Sequence, residues 1–454
     1  MTRRLSVKTL VLMALAAGIW PAHAQRPYTN QPPAWIARPL ALADAVNLAL
    51  QQNGAIRRGK SDLEAQYGLV MQTRAIAIPK LQATGGYQYS TEVETFPFPN
   101  FQAPVNTWNA NLQLVQTIYQ GGQINAALRS ARLTKDQALL QYQTVVADSL
   151  LAVKIGYYDV LQTAEQVGVE EASVELLTKE AADQKRRFDA GTVPRFDVLR
   201  ANVELANERP RLIHARNAYR VAKDNFLNQL GFRPPPRAAE DIPLQLTDKL
   251  DADPYEIELP AAVALALADR SELAALRKQE SLRAEGVITA KSGYKPVVQF
   301  LGGYGGRSSE FFSDPGYVIH GPSAGAQVSW SIFDGFLTKG KIEQATALHD
   351  GSRVDVENEE RTIELEVRTD YSNFTEARET LESQKKVVEE AEEALRLAKA
   401  RNEAGTGTQL DVLSAQTALT QARSTQVQAL HDYDVTRARL ERAMGINIMQ
   451  TMGR

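Results

Sequence analysis

The chain has 454 residues, no cysteine and a formal net charge of -3, with 44% hydrophobic and 23% charged residues. That balance excludes a disordered chain and a bundle of membrane-spanning helices, recommends no nucleic-acid partner, and leaves no disulfide, thiol chemistry or lipid-bearing cysteine. Length alone points to several globular domains, and stability has to come from packing and assembly.

Residues 1–24 read as an export signal. Arg3, Arg4 and Lys8 flank the apolar run Leu10 to Trp20, and Ala22-His23-Ala24 supplies an A-x-A cleavage site. The run is well short of the roughly 20 residues a spanning helix needs, so it is expected to be cleaved rather than kept as an anchor. The mature chain then starts at Gln25, with residues 25–41 as an N-terminal extension. No later segment is long enough without charges to cross a membrane as a helix, so any crossing falls to strands.

From residue 42 the chain is written twice. AVNLAL at Ala45–Leu50 returns as AVALAL at Ala262–Leu267, Pro79 as Pro296, and Gly85-Gly86-Tyr87 as Gly302-Gly303-Tyr304. After a small slip, Tyr119-Gln120-Gly121 answers Phe333-Asp334-Gly335, Tyr219 answers Tyr433, and Gly231 answers Gly445. Landmarks in one order at near-constant spacing indicate an internal two-fold repeat. The first unit is residues 42–231 and the second 259–445. The proline-rich, acidic stretch 232–258 joins them, and 446–454 is a C-terminal tail.

In the first unit a helix of about 55–78 precedes two strands, about 81–93 and 107–119. Leu81, Ala83, Tyr87, Tyr89 and Val93 alternate with Gln82, Thr84, Gln88, Ser90 and Glu92. Trp108, Ala110, Leu112 and Leu114 alternate with Asn109, Asn111 and Gln113, a period of two that fits half-buried strands. The second unit matches at about 297–306 and 323–333, where Val298, Phe300 and Tyr304, then Ala324, Ala326, Val328, Trp330 and Ile332, form the apolar set.

The period then changes. Leu150, Val153, Tyr157 and Val160, and in the second unit Ile363, Val367, Tyr371, Phe374, Ala377 and Leu381, step by three or four, which marks a helical stripe. Proline-free runs from Gln123 to Asp189 and from Leu337 to Glu403 predict helices of roughly 100 Å, too long for an ordinary globular core. Return helices are expected at about 196–230 and 410–444. The matching decapeptides AGTVPRFDVL (Ala190–Leu199) and AGTGTQLDVL (Ala404–Leu413) fall where each long helix must reverse. Gly191 and Gly405 suit a left-handed C-cap, Thr192 and Thr406 are expected to help cap the next helix, and Pro194 to sit in its first turn.

Four strands per chain cannot close a barrel, since about eight are needed even for a filled one. The apolar and amide faces, with Tyr87, Tyr89, Trp108 and Trp330 as interfacial aromatics, suit a membrane barrel built by several chains. Two copies would give eight strands and three would give twelve.

The duplicated layout, the two strand pairs, YQGG at 119–122, FDGF at 333–336 and the AGT…DVL tips together resemble the TolC-type outer membrane efflux protein family. The resemblance implies an α+β membrane protein: a homotrimer whose long antiparallel coiled-coil helices form an α-helical barrel, with four β-strands per chain contributing to a twelve-stranded transmembrane β-barrel. It implies a passive exit duct from the periplasm through the outer membrane, served by a periplasmic adaptor and an inner membrane transporter, with outer membrane lipid around the strands. It carries an acidic pore-narrowing position onto Asp411 and a second onto Ser414, which is not acidic here. It also carries adaptor contact onto the tips, Gly191, Thr192, Gly405 and Thr406. Asp411 equally suits the helix dipole of its first turn, as Asp197 does in the first unit.

No cofactor, metal or catalytic constellation is expected. His214, His320, His349 and His431 have no H-E-x-x-H spacing, and His349-Asp350-Gly351 lacks the second His-Asp partner of a metal hydrolase. The rival to a channel is an exported periplasmic coiled-coil scaffold or binding protein that never enters a membrane.

Overall fold

The computed structural model describes residues 38–89, 106–232, 242–308 and 318–446. The export signal, most of the N-terminal extension, the tail past Ile446 and the predicted strand residues 90–93 lie outside the described residues.

In chain order the elements are α1 (Leu42–Gln52), α2 (Gly54–Arg74), β1 (Lys80–Tyr89), β2 (Asn106–Gln120), α3 (Gln123–Asp189) and α4 (Arg195–Gln229). The second half repeats that order with α5 (Leu259–Asp269), α6 (Ser271–Lys291), β3 (Val297–Ser308), β4 (Val318–Ser329), α7 (Leu337–Glu403) and α8 (Gln409–Ala443). Both long helices have 67 residues and both return helices 35.

The helix expected at about 55–78 ends earlier, at Arg74, and passes into a short 3₁₀ turn at Ala75–Ala77. A separate α1 precedes it. The break is Asn53, whose extended backbone leaves the helix while its Oδ1 accepts from the N–H groups of Ala55 and Ile56. An asparagine there satisfies amides that no helical carbonyl reaches.

The four strands form one antiparallel sheet in the order β1-β2-β3-β4, so β1 and β4 are its edges. β4 differs from its predicted span of 323–333. It starts at Val318 and stops at Ser329, because its partner β3 begins only at Val297, which pairs with Ser329. Trp330 and Ile332 therefore lie past the strand, and Trp330 Nε1 donates to the Tyr294 carbonyl at 3.1 Å. Pro322 sits inside β4, where an edge strand tolerates the missing donor.

Below the sheet, helices α2, α3, α6 and α7 lie side by side; farther down the array is α4, α3, α8 and α7. Thus α2 and α4 share the length of α3, and α6 and α8 that of α7. Two apolar clusters hold the middle of the molecule. One joins Leu150, Val153, Tyr157 and Val160 of α3 to Phe226 and Leu227 of α4 and to Val46 and Ala49 of α1. The other joins Ile363, Val367 and Phe374 of α7 to Tyr433 and Leu440 of α8 and to Ala262 and Ala266 of α5. A third, lower cluster packs Val388 and Leu395 of α7 on Val412 and Leu419 of α8.

One face of α4 is apolar and uncovered among the described residues. Phe196, Leu199, Val203, Ala206, Pro210 and Ile213 alternate steps of three and four, the spacing of a coiled-coil seam. Phe196 and Ile213 are 66% and 65% exposed.

Candidate functional site: the sheet faces and the hairpin tips

Register decides which side chains share a face, because residues directly opposite in an antiparallel pair point the same way. Leu81 faces Leu114, Ala83 faces Leu112, Gly85 faces Ala110 and Tyr87 faces Trp108. Leu112 then faces Tyr304, which faces Pro322, and Phe300 faces Ala326. This face carries no Asp, Glu, Lys or Arg among the described residues, and its Tyr304 hydroxyl is satisfied by His320 Nδ1 at 2.8 Å. The opposite face pairs Gln82 with Gln113, Thr84 with Asn111, Gln88 with Thr107 and Gln299 with Gln327. One sheet thus has an apolar, aromatic-bearing side and an amide-rich side, as a membrane barrel requires.

At the other end, α3 stops through Gly191 at φ 73°, with the Gly191 N–H donating to the Phe188 carbonyl and the Thr192 N–H to the Arg187 carbonyl. Gly405, also at φ 73°, and Thr406 repeat this on Asn402 and Arg401. These are glycine-capped helix ends in which a side chain at either glycine would be strained.

A family model described as outer membrane efflux protein matches residues 45–231 and 262–446, both halves in turn. The chain belongs to the outer membrane efflux protein family. It is 23% identical over 427 residues to outer membrane protein TolC of Escherichia coli, spanning 89% of this chain and 83% of that one. It is 26% identical over 420 residues to protein CyaE of Bordetella pertussis, spanning 87% and 82%. The crystal structure of the outer membrane protein VceC from Vibrio cholerae superposes with a TM-score of 0.74 at 19% identity, covering 89% of this chain and 96% of that one. The family is one of outer membrane export channels, and this efflux protein is an exit duct in the outer membrane that extends into the periplasm.

Within this efflux protein the tip threonines do not cap the following helices. Thr192 Oγ1 donates back to the Arg187 carbonyl at 2.9 Å and Thr406 Oγ1 to the Arg401 carbonyl at 3.3 Å, so both finish the helix behind them. Pro194 lies one residue ahead of the first turn, as the N-cap of α4 with an extended backbone at ψ 156°. The residue that caps α8 is Thr408. Its Oγ1 accepts from the Asp411 N–H at 3.2 Å, while Asp411 Oδ2 accepts from the Thr408 N–H at 2.9 Å. That reciprocal box, and then the charge of Arg401, hold the Asp411 carboxyl below its ordinary range, so it is ionised at neutral pH. Asp411 and Ser414 are both exposed and lie three residues apart, on one face of α8.

A set of tip residues that periodicity did not single out joins the two hairpins. Glu180 Oε1 accepts from Gln184 Nε2 at 2.9 Å and from Gln409 Nε2 at 2.6 Å, and Gln184 Nε2 also reaches Gln409 Oε1 at 2.8 Å. Gln184 and Gln409 are buried, and Arg187 Nη1 adds a contact to Asn402 Oδ1 at 3.3 Å. Their only sequence signal was an amide on the core-facing side of each helix.

Proposed function

We propose that three copies of the chain close into one duct, a twelve-stranded barrel in the outer membrane continued by a tube of helices across the periplasm. The observation that carries this reading is a pair of open edges. β1 and β4 end the sheet, α4 and α7 end the lower helix array, and the uncovered seam of α4 is spaced to receive a further helix. A twisted sheet of four strands completes itself only by taking β4 of one copy against β1 of the next. The apolar face then meets lipid and the amide face lines the lumen.

In this reading the internal repeat, residues 42–231 and 259–445, places two similar hairpins in each copy, and the second faces inward at the periplasmic end. Asp411 of the three copies forms an acidic ring there, with Ser414 beside it as an uncharged position. The tips at Gly191, Thr192, Gly405 and Thr406 meet a periplasmic adaptor that couples the duct to an inner membrane transporter. Conduction is passive, and the transporter supplies the energy. The matched family description, outer membrane efflux protein, supports export from the cell as the task.

Native mass measurement and low-resolution imaging of detergent-purified protein test the assembly. A trimeric particle with a central hole and a long stem is expected. A monomer, or a dimer of eight strands with a filled barrel, would overturn it.

A further inference from the structure

Away from the tips, α3, α4 and α8 bound a polar pocket of about 100 Å³ lined by Ser173, Glu204, Glu208, Arg211, Gln416 and Thr420. Gln416 is only 3% exposed, yet among the described residues neither its Oε1 nor its Nε2 meets a partner. A buried carboxamide with both ends unmatched is costly, and in a native fold it calls for an unseen species that supplies the missing bonds.

The surrounding chemistry says what that species is. Glu208, 7% exposed, accepts from Ser173 Oγ at 2.6 Å, and Ser173 Oγ accepts from Thr420 Oγ1 at 3.2 Å. Three residues along α3, Glu170 has an Oε2 without a partner among the described residues. Among the described residues the one cation lining the pocket is Arg211, whose side chain is 59% exposed and approaches Glu208 to 3.4 Å. Glu204 and Glu208 therefore leave the pocket with an excess of negative charge, and Ser173, Gln416, Thr417 and Thr420 add hydroxyl and carboxamide oxygens to its lining.

We propose that this pocket binds a hard divalent cation, Ca²⁺ or Mg²⁺, between the α3–α4 hairpin and α8. Carboxylate, carboxamide and hydroxyl oxygens are the donors such ions take. No three carboxylate or imidazole groups converge on a metal-sized point among the described residues. The ion is accordingly held by the two glutamates and Gln416 Oε1, with neutral oxygens and retained water completing its shell. A retained water also accepts from Gln416 Nε2, which accounts for both orphaned atoms. The site is separate from Asp411, which is fully exposed at the start of α8. Its effect is to tie α8 to both helices of the first hairpin.

The test uses chelator-stripped protein in detergent, titrated calorimetrically with CaCl₂ or MgCl₂ alone and followed by thermal unfolding. Saturable binding of one ion per chain and a rise in melting temperature are expected. Gln416→Met should bind at least about tenfold more weakly while unfolding at or above the wild-type temperature in chelator, because it removes the unmatched amide. Glu204→Gln should weaken binding similarly, and decides the matter if Gln416→Met fails to fold. Asp411→Asn should bind as wild type does. Absence of saturable binding to the wild type, or binding that Glu204→Gln leaves undiminished, would overturn the proposal and leave the pocket to water. These readouts do not depend on conduction, so their failure is distinct from failure of the channel reading.

Discussion

Lys154 and Glu441 form a buried ion pair across the two halves of the chain, with Lys154 Nζ 2.8 Å from Glu441 Oε2 and side chains 10% and 4% exposed. Arg437 Nε reaches the other oxygen of Glu441 at 3.1 Å. Lys154→Met leaves Glu441 with Arg437 as its remaining cation and one oxygen unmatched in a dry site, so it should cost about 1–3 kcal/mol. Adding Glu441→Leu should recover most of that loss, since Arg437 is partly exposed and can turn to water. Denaturant unfolding followed by helical circular dichroism checks both variants.

Asp434 lies beside that pair and is 5% exposed. Burial, against the pull of Arg437, Lys154 and His431, pushes its carboxyl up to about 7. The folded chain therefore holds more protons than the unfolded chain between about pH 4 and 7, and stability falls as pH rises through that window. His431 acts in the same direction. Burial opposes its charge, but its bonds to Asp159 and Asp432 raise its pKa above the usual value. The stability it adds below its unfolded value is lost as pH rises through the folded one. Asp434→Asn should raise the melting temperature at pH 8 by a few degrees and change it little at pH 4, as thermal scans across pH would show.

Asp411 has a structural task in the Thr408 box and a proposed electrostatic task in the pore. Asp411→Ala should raise single-channel conductance or relieve cation block in planar bilayers. Thr408→Ala, which weakens the cap by about 1 kcal/mol and keeps the charge, should leave block unchanged. Unchanged conductance and block in Asp411→Ala would reduce the residue to its helix-terminal part.

Glu180 accepts from both Gln184 and Gln409 between the hairpins. Glu180→Ala leaves two buried carboxamides short of an acceptor, at about 1–3 kcal/mol. Hydrogen exchange should accelerate at the tips, near Ala190 and Ala404, while amides in the middle of α3 stay protected.

The α4 seam should be an assembly surface. Phe196→Asp or Ile213→Asp changes an exposed position and so should leave the fold of one copy intact while weakening the oligomer. Native mass spectra of the variants should shift toward lower mass, and no shift would remove the seam from the interface.

The bounds of α3 and α7 were legible to the residue because a left-handed glycine ends each one and no proline interrupts it. The sheet faces were legible because alternation survives pairing, and Leu81 does meet Leu114. The lower end of β4 was not, since apolar alternation continues through Trp330 and Ile332 while the ladder is limited by where β3 begins. The separate α1 before Asn53 was not legible as a helix, because Ala45–Leu50 stood out only as a landmark of the repeat. The contacts of Gln184 with Gln409 and the isolation of Gln416 could not be read at all, because they depend on how separate helices abut. The threonine that caps α8 is displaced by two residues from the one the tip motif suggested, since Thr406 is occupied in closing α7.

The unpaired margins of β1 and β4 bear on the order of events in the cell. A single copy in hydrocarbon would present two rows of amide and carbonyl groups with neither water nor another strand to meet them, and each such group costs several kcal/mol there. Solitary entry into the bilayer is thereby forbidden energetically. In the proposed trimer, subunits would have to meet before or during insertion, so that each margin is paired as it enters hydrocarbon.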